Sequence, residues 1–253
     1  MAKPRPVGTR RTVPDHMFGG HLKGSYLLDL AVIGVEEIAE HVRLIKVASS
    51  DLVGFEYAPG QDLLFEFPDG DRTLRRRYTI RRLDSPQGIA DFEIEMHDGL
   101  GPATRWAAEA QVGERLEAIG PRGAVKVRSE AMNHLFVVDD SAMPAAFAML
   151  DALPANMSAI ALLVTSHGAK SRPTVADRPE TSLVWLDQDE IVDELNDLYI
   201  PADTAVYLFG ERQLVRLVEE ILVEDGIDRD AVKSKAYWRR DKPNASHGEP
   251  SFN

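Results

Sequence analysis

Residues 134–153 read HLFVVDDSAMPAAFAMLDAL. The stretch opens on a continuous apolar run, the composition of a strand buried on both faces. It closes on MPAAFAMLDAL, which has helical composition. Downstream the alternation recurs. AIALLVTS, TSLVWL and TAVYLFG repeat the strand type, while DEIVDELNDL and ERQLVRLVEEILVEDG supply helices, the second with Gly226 as a stop signal. KSKAYWRR reads as a last edge strand. Strand alternating with helix predicts parallel βαβ units and a ligand crevice at the carboxyl ends of the strands.

Upstream the period changes. LLDLAVIGV, VRLIKVAS, DLLFEF, RYTIRRL, DFEIEMH and RLEAIG are short, rich in Val, Ile, Leu and Phe, and several alternate apolar with polar. YAPGQ, PDGD, DSPQG and GPRG punctuate them. About six such strands predict an antiparallel barrel. GPATRWAAEA interrupts as a helix that Thr104 can cap. The expectation is a two-domain chain, an antiparallel β-barrel followed by an α/β domain with a mostly parallel sheet. The bounds are a flexible N-terminal arm over 1–23, the barrel over 24–130, the α/β domain over 131–241 and a tail over 242–253.

The 253 residues carry a formal net charge of -12, which argues against gripping nucleic acid or an anionic membrane surface. No cysteine is present, so disulfides, thiolate catalysis and iron–sulfur clusters are excluded. No apolar stretch approaches the ~20 residues of a membrane helix. The N-terminus lacks the apolar region of a secretory signal, which suits a cytoplasmic protein. The seven histidines show no HxxxH or HExxH spacing, so no protein-held metal is expected.

Against this acidic background RRRYTIRR, residues 75–82, sets five arginines around a Tyr-Thr pair. On a strand, Arg76, Tyr78 and Ile80 would share one side and Arg77, Thr79 and Arg81 the other. Guanidinium pairs bidentately with phosphate, a tyrosine ring stacks, and a threonine hydroxyl donates to a ring nitrogen. FAD offers all three partners. The competing reading is a charged edge strand with its arginines in water. The second signal is HDGLGPATRWAAEA, residues 97–110, a Gly-Pro turn opening a helix whose N-terminal amides suit a phosphate.

Arg76-Arg77-Tyr78-Thr79 resembles the R-x-Y-T flavin signature of the ferredoxin reductase superfamily. DFEIEMHDGLGPATRWA, GERLEAIGPRG, VVDDSAMPA, LFGE and AYWRR, in that order, resemble the siderophore-interacting protein family, the FAD-dependent ferric-siderophore reductases. The resemblance implies that Arg76 binds the FAD diphosphate and that Tyr78 stacks on the isoalloxazine, with Thr79 bonded near its N5. It implies that His97, Gly101, Pro102, Ala103 and Thr104 line the diphosphate and adenosine side. Asp139 and Ser141 would serve the NADPH or NADH donor, and Trp238 would cover the flavin. The family pattern near VGDETALPA differs here at Val138, Asp140 and Ser141. Val138 stands where a glycine would let backbone approach a ligand.

The activity so implied is reduction of ferric siderophores, with electrons passing from NAD(P)H through FAD to release Fe(II). An anionic ferric siderophore would need a basic rim on this acidic chain, for which Lys233, Lys235, Arg239 and Arg240 are candidates. A general FAD-dependent electron-transfer reductase serving another acceptor, such as a redox protein, fits the same barrel. So does a protein that holds a siderophore or flavin without turnover.

Overall fold

The computed structural model describes residues 9–13, 24–96, 101–165 and 180–240. The chain divides into two compact units at Lys126/Val127. The tail over 242–253, most of the arm and His97 lie outside the described residues.

The first unit is one curled antiparallel sheet. Its strands are β1 (Arg11–Thr12), β2 (Tyr26–Ala39), β3 (Val42–Ala48), β4 (Asp62–Asp69), β5 (Arg72–Thr79), β6 (Arg82–Asp84), β7 (Ile89–Glu95) and β8 (Arg115–Arg122), with helix α1 (Pro102–Glu109) between β7 and β8. The order is β5-β4-β8-β2-β3-β7-β6, with β1 pairing on β2. Leu28, Leu30, Ile45, Leu63, Phe65, Ile80 and Phe92 fill the interior and α1 adds Ala103 and Ala107.

The expected strand RYTIRRL is two strands, because the chain changes sheet edges within it. β5 pairs β4 at one edge and β6 pairs β7 at the other. Between them the Ile80 amide donates to Gln61 O (3.0 Å) and the Arg81 amide to Asp91 O (2.9 Å). This crossing closes the sheet on itself. Arg81 then turns inward to Glu93 of β7 (3.1 Å), with both side chains buried. Two more arginines of the run are also met by carboxylates of the chain: Arg77 makes a bidentate pair with Asp62 (2.7 and 2.6 Å), and Arg75 reaches Glu66 (2.9 Å). Much of the basic run therefore serves the barrel.

Two other expectations are corrected. Part of the supposedly flexible arm is docked. Arg11 and Thr12 pair with Leu27 and Tyr26, Val13 is buried against Leu64 and Ile119, and Arg10 donates to Asp51 O and Val53 O (2.6 Å each). Arg10 also lies over the rings of Tyr26 and Phe55. Helix α1 begins before Thr104: its N-cap is Gly101 and Pro102 occupies the first turn. Proline's fixed φ and missing N–H suit that place, and Thr104 is buried within the helix.

The second unit is a five-stranded parallel sheet of β9 (Asn133–Asp139), β10 (Ser158–Val164), β11 (Thr181–Leu186), β12 (Thr204–Glu211) and β13 (Val232–Trp238), in the order β11-β10-β9-β12-β13. Among the described residues three helices accompany it: α2 (Met143–Asp151), α3 (Ile191–Asp197) and α4 (Arg212–Glu224). Leu135, Val137, Val206 and Leu208 pack with Leu195 of α3 and Val218 and Leu222 of α4. α2 is buried from Met143 to Leu150 and meets β9 and β10. α4 ends as the sequence predicts, with Gly226 at φ 94° after the helix. Val138 lies inside β9, fully buried and paired with Leu163 and Phe209. It is a core residue, and the turn toward the crevice begins only after Asp139.

His134, on β9, is buried and stacks on Tyr207 with ring centroids 6.1 Å apart. Its Nε2 meets Ala131 O at 3.1 Å. Burial holds its pKa below the ordinary imidazole value, against the pull of that carbonyl.

Two measurements test these contacts. Removing one partner of a buried ion pair leaves a charge without compensation, so Glu93→Gln is expected to cost about 3–5 kcal/mol in urea unfolding. Glu66→Gln, in a half-exposed pair, should cost no more than about 1 kcal/mol. Equal effects would remove the closing role from Arg81. For His134, the unfolded chain takes up a proton near pH 6.5, by the usual value of about 6.5, and the folded chain only below it. The stability contributed by neutral His134 is therefore full above that pH and is lost as pH falls through the window beneath it. Wild type should lose more melting temperature than His134→Phe between about pH 7.5 and about pH 5.5. Parallel losses would contradict the assignment.

Candidate functional site

In the first unit Tyr78 and helix α1 meet around Phe67. Tyr78, near the end of β5, is half-buried and packs edge-on against Phe67 (6.4 Å between centroids) and tilted against Phe65 (5.8 Å). The other side of the contact is Trp106 of α1, 5.3 Å from Phe67. Trp106 is fixed in turn by its Nε1, which donates to Glu114 (3.1 Å). Arg43 of β3 holds the far end of α1 by donating to the carbonyls of Ala107 and Ala108. One phenylalanine thus joins the R-x-Y-T strand to the Gly-Pro helix, although the two are separated by about twenty residues of sequence.

The chemistry there suits an anion beside a flat ring. Arg76 shares the Tyr78 face by strand alternation and lies close enough to act on the phenol electrostatically. Burial pushes the Tyr78 hydroxyl well above the usual phenol range, with Arg76 opposing. Tyr78 is therefore a neutral phenol at physiological pH. Thr79 is buried at the end of β5, opposite Asp62 and on the other parity from Tyr78. At α1 the N-cap is Gly101, which offers no side chain to the helix, and Pro102 has no N–H. The first-turn amide of Ala103 has no carbonyl partner within the helix. A guanidinium, a half-buried phenol and a helix start without a side-chain cap fit a group that carries both a diphosphate and an aromatic ring system.

In the second unit the strand order reverses between β9 and β12, and in such sheets the crevice at the carboxyl ends of those strands receives ligands. Asp139 ends β9 there. Its Oδ1 accepts from the Ser141 amide (3.0 Å) and hydroxyl (2.6 Å), and its Oδ2 from the Glu211 amide (2.7 Å) and Trp238 Nε1 (2.7 Å). Burial pushes the Asp139 carboxyl up, against the opposing pull of the Ser141, Trp238 and Glu211 bonds. A carboxylate has about four acceptor positions, and this one directs all of them at the protein. Asp139, Ser141 and Trp238 thus form one hydrogen-bonded cluster, which fixes the Trp238 indole at the end of β13.

Gly210 makes the cluster possible. It has φ 131°, and a Cβ there would lie 2.6 Å from either Asp139 oxygen. Beyond it Glu211 is buried and caps α4, accepting from the Gln213 and Leu214 amides.

The proposed basic rim is dispersed. Lys233 and Lys235 share one face of β13; Lys233 donates to Asp230 O (3.3 Å) and Lys235 lies over the Tyr237 ring (4.7 Å). Arg240 donates to Gln188 (3.1 Å). Arg239 instead lines a cavity of about 230 Å³ with Glu211, Arg212, Gln213 and Arg216. Arg212 and Arg216 were not among the sequence candidates. The available signal was their i, i+4 spacing at the start of a helix that follows a strand ending in glycine. Among the described residues no group of three or more His, Cys, Asp and Glu side chains is placed to hold a metal ion. No helix among them is long and apolar enough to cross a membrane.

Known proteins match both units. Residues 13–125 match the siderophore-interacting FAD-binding domain and residues 131–241 match the siderophore-interacting protein domain. The chain is 30% identical over 236 residues to the NADPH-dependent ferric-chelate reductase of Escherichia coli K12, covering 83% of this chain and 92% of that one. It is 23% identical over 242 residues to the ferric vibriobactin reductase ViuB of Vibrio cholerae, covering 84% and 89%. Among solved structures, a siderophore utilization protein from T. fusca superposes with a TM-score of 0.78 at 26% identity, covering 89% of this chain and 97% of that one. The ferredoxin reductase of carbazole 1,9a-dioxygenase shares the fold, with a TM-score of 0.71 at 18% identity over 85% of this chain and 68% of that one.

The Asp139 cluster yields a prediction. Trp238→Phe removes one hydrogen bond to a charged acceptor and should cost about 1.5–3 kcal/mol. Gly210→Ala strains the backbone and crowds the same carboxylate, at a cost of at least about 2 kcal/mol. Because both act on Asp139, the double variant should lose less in urea unfolding than the two single losses added. Strict additivity would show that the cluster is not a unit.

Proposed function

This chain belongs to the siderophore-interacting protein family, and from that premise we propose that it is an FAD-dependent oxidoreductase that reduces ferric siderophores with electrons from NADPH. The observation that carries the reading is the meeting of Tyr78 of the R-x-Y-T strand with Trp106 of helix α1, through Phe67, within the segment that matches a siderophore-interacting FAD-binding domain.

The residues divide the work. Arg76 pairs with the diphosphate, and the Ala103 amide at the Gly101-Pro102 turn supplies a further donor. Tyr78 stacks on the isoalloxazine as a neutral phenol, since burial keeps its proton in place. Thr79 closes the site near the ring's reactive edge. When bound, FAD supplies the conversion of one two-electron donor into two single-electron transfers, so one NADPH yields two Fe(II), NADP⁺ and a proton. Hard oxygen ligands hold Fe(III) more tightly than Fe(II), so reduction releases the metal.

No protein acid or base is required, and none of the side chains assigned to the ring is ionised near neutral pH. In the second unit Trp238, held by Asp139, presents an aromatic face, and Ser141 sits at the turn after β9. Lys233, Lys235, Arg239 and Arg240 offer positive charge to an anionic ferric chelate. The cytoplasm, where NADPH is supplied, is the compartment this reading requires.

The visible spectrum tests the proposal. Purified protein should show flavin bands near about 370 and 450 nm, bleached anaerobically by NADPH and restored by a ferric catecholate, with Fe(II) trapped by a chromogenic chelator. Arg76→Ala should weaken FAD binding by about 10- to 100-fold, the size of one charge-assisted contact. A colourless protein that takes up no added FAD would refute the reading. A flavin that NADPH leaves oxidised but a reduced redox protein bleaches would move the donor to a protein partner.

A further inference from the structure

β5 has little in its own sequence to fix its register. Leu74 and Tyr78 are its only large apolar side chains, and Arg75, Arg76 and Arg77 stand in a row between them. In the register observed, Phe65 of β4 lies opposite Arg76 and Leu63 opposite Tyr78. A slip of one residue either way would still set an arginine against Phe65, yet it would carry Arg76 and Tyr78 to the other face. A row of identical residues cannot report that error. The partner strand has to.

β4 does so with two carboxylates. Asp62, Leu64 and Glu66 alternate with Leu63, Phe65 and Phe67 and so share the opposite face. Glu66 stands directly across from Arg75 and pairs with it at the surface. Asp62, with its side chain 3% exposed, takes Arg77 through both oxygens. Arg75 and Arg77 are thereby committed to one face. Arg76 is left on the Tyr78 face, where it donates to Arg75 O (2.8 Å). A buried ion pair adds little net stability, and its best-attested use is to specify register.

The exit of β8 closes over this pair. Gln61 Nε2 donates to Gly123 O (2.9 Å), and a Cβ on Gly123 would stand 3.7 Å from Arg77 Nη2 and 3.8 Å from Asp62 Oδ2. Gln61 also receives the Ile80 amide, just where β5 ends. YAPGQ, RYTI and GPRG thus converge on one ion pair beside the proposed cofactor face.

We propose that Asp62 and Arg77 are positioning residues: their pair locks the register of β5 and so decides that Arg76, and neither of its neighbours, is the arginine offered to the FAD diphosphate. The assignment rests on the reading of Arg76 and Tyr78 as FAD ligands. It gives the x of R-x-Y-T a task on the face away from the cofactor.

Asp62→Asn keeps the shape of the side chain and Arg77→Lys its charge, while each breaks the two-point pair. The full-length proteins are titrated with FAD at a temperature where the variants keep the circular dichroism of wild type. Each variant should bind FAD about tenfold more weakly, the worth of one charge-assisted contact. Arg75→Gln, at the exposed pair, should stay within about twofold of wild type. Because the lock acts through Arg76, adding either change to Arg76→Ala should weaken binding by less than the two losses combined. A pair that serves stability alone would lower the melting temperature and leave the dissociation constant of the folded protein unchanged, which would overturn the assignment. So would full additivity with Arg76→Ala. Where one variant does not fold, the other carries the comparison. A wild type that takes up no FAD would refute the cofactor reading and the lock together; a wild type that binds FAD no better than both variants would refute the lock alone.

Discussion

The first unit depends on a two-residue crossing. At Ile80 and Arg81 the backbone leaves one edge of the sheet and joins the other, donating to Gln61 O on the first side and Asp91 O on the second. Edge strands otherwise present unpaired groups to solvent. Here Ile80 fills the interior, and Arg81 enters it too, which is possible only because Glu93 is there to meet it. Tyr78 is two residues upstream. The Tyr78 face is therefore held at a point where both edges of the sheet are tied, and the aromatic contacts through Phe67 extend that constraint to α1.

A comparable economy governs the second unit. A single buried carboxylate, Asp139, bonds the start of the β9 turn, the end of β12 and the indole at the end of β13. Three strand ends lining the crevice thus share one acceptor, and Gly210 leaves the room it needs. The same economy frees α4 of any need for an external cap, since Glu211 supplies one from within the chain.

How far the sequence disclosed this follows from the range of the interactions. Period two against continuous apolar runs separated the antiparallel sheet from the parallel one, because those patterns report which faces are buried locally. The break inside RYTIRRL was hidden, since a change of sheet edge is set by pairing with β4 and β7 and leaves no mark on alternation. Thr104 looked like a cap by residue type, but Pro102 fixed the helix start two positions earlier. Val138 looked like an obstacle at a turn, yet β9 runs past it and buries it. Asp139, Ser141 and Trp238 were all marked, whereas the bond from Asp139 to Trp238 spans 99 residues and has no local signature. Arg212 and Arg216 share a cavity with Arg239, and no local pattern connects positions so far apart in the chain.

The outer edge of the parallel sheet has a bearing on how the protein behaves at high concentration. Among the described residues β13 ends the strand order, and one side of its backbone has no neighbouring strand there. Lys233 and Lys235 alternate along it, the second resting over Tyr237. A second copy docking edge to edge would bring these ammonium groups against their own counterparts while stripping them of water. That like charge opposes sheet-to-sheet stacking at this edge, and the lysines serve colloidal stability whatever else they meet.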